Sequence, residues 1–143
     1  MIRTTATSRG LRNCNPGNIR RVKGQDWKGQ TPLQTDPTFV TFFDEAWGYR
    51  AMMVILSNYR RKGFCRIEDI VRRWAPPSEN DTAAYIASVC TQCDCTPRCI
   101  PDLTDRETMV GLVEAMARVE NGVPAIHHKV EAGWELYQKY GGE

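Results

Sequence analysis

The sequence predicts a mainly α domain of about five helices, with a small irregular β-hairpin region near the N-terminus. Three observations support this fold class. From residue 44 onward, apolar residues recur at helical spacing, whereas turn-forming residues punctuate residues 13–43. A length of 143 residues, with 41% hydrophobic and 25% charged residues, fits one globular domain with a single core.

Residues 13–43 carry turn and strand signals. The turn sequence Asn-Pro-Gly-Asn at 15–18 is followed by further glycines and prolines, and then by the β-prone run 38–42. We therefore expect the hairpin region here. The basic, polar stretch before it has no apolar pattern, so residues 1–12 are expected to form a flexible arm and residues 13–143 the single domain.

Two helices are predicted between residues 44 and 75. Asp44 is a suitable N-cap for the first, whose apolar stripe stops before Gly63. That stripe consists of Trp47, Ala51, Val54, Ile55 and Tyr59. The second helix is shorter and should end before Pro76, because proline lacks an amide donor and clashes with the preceding turn. Its single apolar face consists of Ile67, Ile70, Val71 and Trp74.

Three more helices are predicted after Pro77. The first opens in the polar turn 78–81, whose side chains can cap free amides. The next begins at a capping box formed by Thr104 and Glu107 and ends before Gly122, and the last follows Pro124. Their expected buried positions are Tyr85, Ile86 and Val89, then Val110, Val113 and Ala117, then Ile126, Val130, Trp134 and Tyr137.

Four of the six cysteines crowd into ten residues, as Cys90, Cys93, Cys95 and Cys99. In an oxidising compartment they could form disulfides with one another, or with Cys14 or Cys65. They could instead bind zinc through four thiolates, although the spacing is tighter than in the usual pair of separated knuckles, or remain free thiols. In each case we expect the cluster to be structural and not catalytic.

The charge balance gives little support to a nucleic-acid partner. Nineteen basic and seventeen acidic residues leave a formal charge of +2, so no strong field extends from the molecule as a whole. No segment has the pattern of a signal peptide, and no apolar run approaches membrane-spanning length. We therefore expect a water-soluble chain with no nucleic-acid partner, no membrane insertion and no cofactor.

Glu120 is the strongest candidate for chemistry. It falls in the last turn of a predicted apolar helix, directly before Asn121 and Gly122. The negative end of the helix dipole and the loss of hydration both favour the protonated form of a carboxyl group at such a place. A general acid for glycosidic cleavage must hold a proton in this way near neutral pH. The alternative is a solvated carboxylate at a helix end.

Glu45 is the second candidate acid. It lies at the start of a helix, where the dipole stabilises the charged form of a carboxyl group, which suits a cap better than a proton donor. Glu79 and Asn80 share this interpretation at the next polar turn. Among the four tryptophans, Trp27 is the candidate for stacking on a sugar ring, because the others lie on helical stripes.

Three strings, at 9–20, 42–51 and 73–85, closely resemble a family of small phage and prophage proteins that are often labelled virion structural proteins. The match runs over nearly the whole chain, from about residue 9 to the last helix. The family looks like a branch of the lysozyme superfamily. The resemblance therefore implies an α+β lysozyme-like fold and action on cell-wall polysaccharide.

Within that superfamily, residues 13–18 resemble the Asn-containing turn that lines the sugar cleft of bacterial glucosaminidases and lytic transglycosylases. In those relatives, a helix ending in the catalytic glutamate comes before the turn. Here residues 119–122 resemble that helix end, moved to the C-terminal side as a circular permutation would place it. The resemblance implies that Glu120 is catalytic. Tyr85 resembles the tyrosine that lytic transglycosylases place near the reacting sugar, although it could equally be a core aromatic. We expect a substrate-binding set of Asn15, Asn18, Glu45, Asn80 and Tyr85.

The leading hypothesis is a peptidoglycan glycosidase, a lytic transglycosylase or a muramidase, with Glu120 as general acid and base. A single convincing carboxylate favours the transglycosylase, in which the sugar's own hydroxyl attacks. The alternative from another class is a non-catalytic virion or cell-wall-binding protein with the same fold. A zinc-stabilised interaction module is a third hypothesis and rests on the cysteines.

The expected partner is a peptidoglycan glycan strand. The expected place of action is the bacterial cell wall or periplasm. Because the chain shows no signal peptide, we expect a phage particle or a secretion machine to deliver it.

Overall fold

A computed structural model describes residues 7–141 and contains six α-helices over that range. They are α1 (Arg9–Arg12), α2 (Glu45–Arg61), α3 (Ile67–Trp74), α4 (Thr82–Cys93), α5 (Arg106–Asn121) and α6 (His127–Tyr140). The mainly α prediction is confirmed, with the short α1 added to the five predicted helices. None of the helices between residues 7 and 141 combines the length and apolar character that a membrane span requires.

The predicted β-hairpin is not present in the described residues. Residues 13–43 instead form an irregular loop region with two isolated antiparallel bridges, Arg20 to Phe39 and Gln30 to Phe42. The physical reason is that side chains take the backbone partners that a strand ladder would use. Buried Asn15 donates to the carbonyls of Ile19 and Val40 at 3.0 and 2.9 Å, and buried Asp36 accepts from two neighbouring amides.

The predicted arm is described only from Thr7 onward, since residues 1–6 lie outside the described part. Within it, α1 forms one helical turn, capped by Ser8, which accepts a hydrogen bond from the amide of Leu11 at 3.2 Å. Arg9 makes two hydrogen bonds of 2.7 Å to Asp36, and this contact lowers the pKa of Asp36 far below its ordinary value. Residues 8–12 are therefore anchored to the domain.

The helix ends follow the predicted signals with one exception. Asp44 caps α2 by accepting hydrogen bonds from two amides at 2.9 and 3.4 Å, and α3 ends at Trp74. Gly122 follows α5 in a left-handed conformation with φ 72°. The predicted capping box at Thr104 is wrong. Asp105, one residue later, supplies the capping oxygen and accepts from the amide of residue 108 at 3.1 Å.

Helix α2 forms the centre of the core and packs along α6. Its residues Met52 and Leu56 are fully buried. The two helices approach closely at Gly133 of α6, where a Cβ atom would lie 2.6 Å from the Cβ of Tyr49 and 3.0 Å from the carbonyl oxygen of Ala46. A side chain at this position would therefore push the two helices apart.

Gly133→Ala should lower the free energy of unfolding by about 1–3 kcal/mol, because the added methyl overpacks the contact between α2 and α6. Gly111→Ala in α5 is the matched control, since the added methyl would meet no atom of another element within 4 Å there. It should stabilise the protein by about 0.5–1 kcal/mol through its effect on the helix backbone. Urea unfolding measures both, and equal stabilities of the two variants would contradict the close packing.

Candidate functional site

A groove of about 520 Å³ opens between the irregular loop region and the C-terminal half of α2. The loop side contributes Asn18 and Trp27. Helix α2 contributes Ile55, Asn58 and Tyr59, which are three and four residues apart and therefore share one helix face. Glu120, at the end of α5, also lines the groove, so the carboxyl group singled out in the sequence is open to a ligand there.

Three side chains from three different elements donate hydrogen bonds to the carboxylate of Glu120. Asn18 Nδ2 donates to Oε1 at 3.0 Å. Trp74 Nε1, at the end of α3, donates to Oε2 at 3.1 Å, and the Tyr85 hydroxyl of α4 donates to the same oxygen at 2.9 Å. The carboxylate is therefore held at both oxygens, and its orientation is fixed by the loop, α3 and α4 together.

The two oxygens of Glu120 are not equivalent. Each carboxylate oxygen can accept about two hydrogen bonds. Oε2 accepts two, from Trp74 and Tyr85, whereas Oε1 accepts one, from Asn18. Oε1 therefore retains a lone pair that can accept a further hydrogen bond.

Tyr85 supports Glu120 from inside the protein. Its side chain is only 5% exposed, and it is not part of the groove lining. Burial, and next the charge of Glu120, raise the pKa of the Tyr85 hydroxyl, which therefore stays protonated at neutral pH. The nearer of its two acceptors is Glu120 Oε2 at 2.9 Å, and the other is the carbonyl of Met116 at 3.3 Å. Tyr85 thus lies behind the carboxylate, away from the sugar-contact position that was expected.

The end of α5 contacts the N-terminal segment, although the two are far apart in sequence. Asn18 and Glu120, which share a hydrogen bond, are separated by 102 positions. Asn121 donates to the carbonyl of Pro16 at 2.8 Å and accepts from the Ser8 hydroxyl at 2.7 Å. Gly10 makes this approach possible, because a Cβ atom there would lie 2.7 Å from both the Asn18 and Asn121 side-chain oxygens. The fold therefore brings the Asn-containing turn to the glutamate.

Of the predicted substrate-binding residues, Asn18 and Asn80 line the groove together with Glu120. Asn15 does not. It is completely buried, and its amide group is used by the backbone of Ile19 and Val40 at 2.9–3.0 Å. The substrate-binding assignment of Asn15 is therefore corrected to a structural one.

Glu45 also lies away from the groove. Its carboxylate pairs with Lys129 of α6 at 2.7 Å, and its side chain is largely buried. This ion pair links the start of α2 to α6. The assignment of Glu45 to substrate binding is therefore corrected to a structural role that agrees with its helix-start position.

Two residues of the groove were not recognised from the sequence. Trp74 was assigned to the core, yet its indole N–H binds Glu120 and its ring lines the groove. Glu79 was assigned to helix capping, but Asp81 caps α4, while Glu79 lines the groove 3.8 Å from Arg20. The sequence offered one signal for both residues, which is that they flank the Pro76 turn at which α3 ends.

All six cysteines are free thiols in the structure. Over residues 7–141, no group of three or more His, Cys, Asp and Glu side chains is arranged to hold a metal ion.

The chain is similar to a phage protein. It is 41% identical over 132 residues to Protein P5 of Pseudoalteromonas phage PM2, and the alignment covers 90% of this chain and 81% of that protein. No family model matches the sequence.

Proposed function

The chain belongs to the phage protein family that includes Protein P5 of phage PM2, and we propose that it is a peptidoglycan-cleaving glycosidase with Glu120 as its general acid. The family membership confirms the expected relation to phage proteins. The observation that carries the proposed activity is the carboxyl group of Glu120, which lines a groove and is held by donors from Asn18, Trp74 and Tyr85.

In the proposed reaction, protonated Glu120 gives the proton on Oε1 to the glycosidic oxygen between two amino sugars. The bond from that oxygen to the anomeric carbon then breaks, the leaving sugar departs as an alcohol, and positive charge develops at the anomeric carbon. Glu120, now a carboxylate, accepts a proton from the hydroxyl group that attacks this carbon. The two donors at Oε2 keep the carboxyl group in one orientation through both steps.

A lysozyme-like fold with permuted chain order is part of the proposal. It is supported by the contact between Asn18 and Glu120 at 3.0 Å, which joins the Asn-containing turn to the end of the acidic helix. In the glucosaminidases and lytic transglycosylases that the sequence resembles, the same two segments follow each other in the chain. Here they lie near opposite ends, and the Asn121 contact with Pro16 at 2.8 Å bridges the place where the chain would be continuous.

The attacking hydroxyl distinguishes the two enzyme types. In a lytic transglycosylase it belongs to the sugar itself, and one carboxyl group is sufficient, whereas a muramidase activates water and commonly uses a second carboxylate. Glu79 borders the same groove, but its side chain is 57% exposed and lies near Arg20. We place the transglycosylase first, since of the two carboxyl groups that line the groove, Glu120 is the one held by three side-chain donors.

The test is mass spectrometry of fragments released from purified peptidoglycan. The proposal expects soluble muropeptides ending in anhydro sugars, which are lighter than hydrolysis products by one water molecule. Reducing ends would identify the muramidase. If no fragments appear while the protein sediments with peptidoglycan, glycosidase activity is refuted and the alternative, a non-catalytic virion or wall-binding protein, takes its place.

Delivery to the cell wall by a phage particle or a secretion machine remains part of the same proposal. The relation to a phage protein supports the first route.

A further inference from the structure

The end of α4 brings two cysteines together through a helix-terminating motif. Asp94 follows the helix in a left-handed conformation, with φ 51° and ψ 54°, and its amide donates to the carbonyl of Cys90. The amide of Cys95 donates to the same carbonyl at 3.1 Å. In motifs of this type, the side chains at the positions of Cys90 and Cys95 usually form an apolar contact across the helix end. Here both are thiols.

The geometry of this motif suits a disulfide. A direct backbone hydrogen bond between two residues keeps their Cα atoms within about 7 Å, the upper limit that a disulfide spans. The thiols of Cys90 and Cys95 are in contact, and both residues are partly exposed to solvent. Burial, and next the neighbouring Cys90, raise the pKa of Cys95 to about 12, so Cys95 is a poor first nucleophile and is suited to close the bond second.

The loop that follows Cys95 caps the start of α3. The amide of Ile67 donates to the carbonyl of Cys99, and the amide of Glu68 donates to the carbonyl of Pro97, both at 2.9 Å. The cysteine loop thus joins the end of α4 to the start of α3. These are the two helices that carry Tyr85 and Trp74, the donors to Glu120.

We propose that Cys90 and Cys95 form a disulfide under oxidising conditions, which fastens the end of α4 to the loop that caps α3. A low-molecular-weight disulfide such as oxidised glutathione supplies the oxidising equivalents. The Cys90 thiolate attacks it and releases one glutathione thiol, and the Cys95 thiolate then attacks the mixed disulfide at the Cys90 sulfur and releases the second. Two protein thiols are oxidised to one disulfide, and one glutathione disulfide is reduced to two thiols.

The test counts thiols in denatured protein before and after treatment with oxidised glutathione. Wild type should fall from six thiols to four, because one disulfide consumes two. Two double variants form a matched pair. Cys93→Ser/Cys99→Ser retains the proposed pair and should fall from four to two. Cys90→Ser/Cys95→Ser lacks it and should keep all four under the same conditions. Circular dichroism establishes that both variants are folded.

The disulfide should also raise the melting temperature. Oxidised Cys93→Ser/Cys99→Ser should melt about 5 °C above its reduced form, as expected for a short closed loop in a domain of this size. Equal loss of thiols in both double variants would overturn the assignment of the pair. The disulfide itself would be overturned if wild type kept all six thiols after oxidation. It would also be overturned if the protein held one zinc ion per chain and removal of that zinc exposed all four clustered thiols.

Discussion

Glu120→Gln should lower the rate of peptidoglycan cleavage by about two to four orders of magnitude and leave the fold intact. Glutamine has nearly the same shape and its carbonyl oxygen can still accept hydrogen bonds from Trp74 and Tyr85. It has no acidic proton to give to the leaving oxygen. Release of soluble muropeptides from purified peptidoglycan, followed over time, measures the loss.

Glu45→Gln is the matched control, because it makes the same chemical change outside the groove. It weakens the ion pair with Lys129, whose oxygen to nitrogen distance is 2.7 Å, and should lower the melting temperature slightly while cleavage continues at the wild-type rate. An inactive Glu45→Gln beside an active Glu120→Gln would move the catalytic role to Glu45. Full activity in both variants would remove the glycosidase proposal for this groove.

The helices could be predicted because their signals are local. Asp44 supplies a capping oxygen, a proline pair stops α3, and Gly122 allows the left-handed turn after α5, each within a few residues of the helix it affects. The hairpin prediction failed for a reason that is not local. The run 38–42 has the composition of a strand, but Asn15 donates to the carbonyl of Val40 from 25 residues away. Asp36 adds a local contact by accepting from the amides of residues 38 and 39, and together the two side chains replace the ladder.

The candidate site could be predicted in part. The position of Glu120 at a helix end was visible in the sequence, but the residues that hold it come from 35, 46 and 102 positions away. Periodicity assigns Trp74 to an apolar face and does not say which element meets its indole N–H. Asn15 and Asn18 occupy one turn and look alike in sequence. In the structure, Asn18 has a left-handed φ of 49° and contacts Glu120, whereas Asn15 is buried and bonded to the backbone of Ile19 and Val40.

The double variant Trp74→Phe/Tyr85→Phe should lower the cleavage rate almost to that of Glu120→Gln. Each single substitution removes one hydrogen bond to the carboxyl group and should reduce the rate by only about threefold to tenfold. After either change, Glu120 is still held at both oxygens, by the remaining donor at Oε2 and by Asn18 at Oε1. After both changes, Oε2 is no longer held and the carboxyl group can rotate about its contact with Asn18.

The loss in the double variant should therefore exceed the product of the two single losses, because the two donors restrain one oxygen and substitute for each other. Rates for wild type, both single variants and the double variant, measured on the same peptidoglycan preparation, give this coupling. Tyr137→Phe is the control, since it removes a hydroxyl that contacts Ser57 at 2.6 Å and lies outside the groove, and its rate should equal that of wild type. If the loss of rate in the double variant equals the product of the two single losses, Trp74 and Tyr85 act independently and do not jointly position Oε1 for proton transfer.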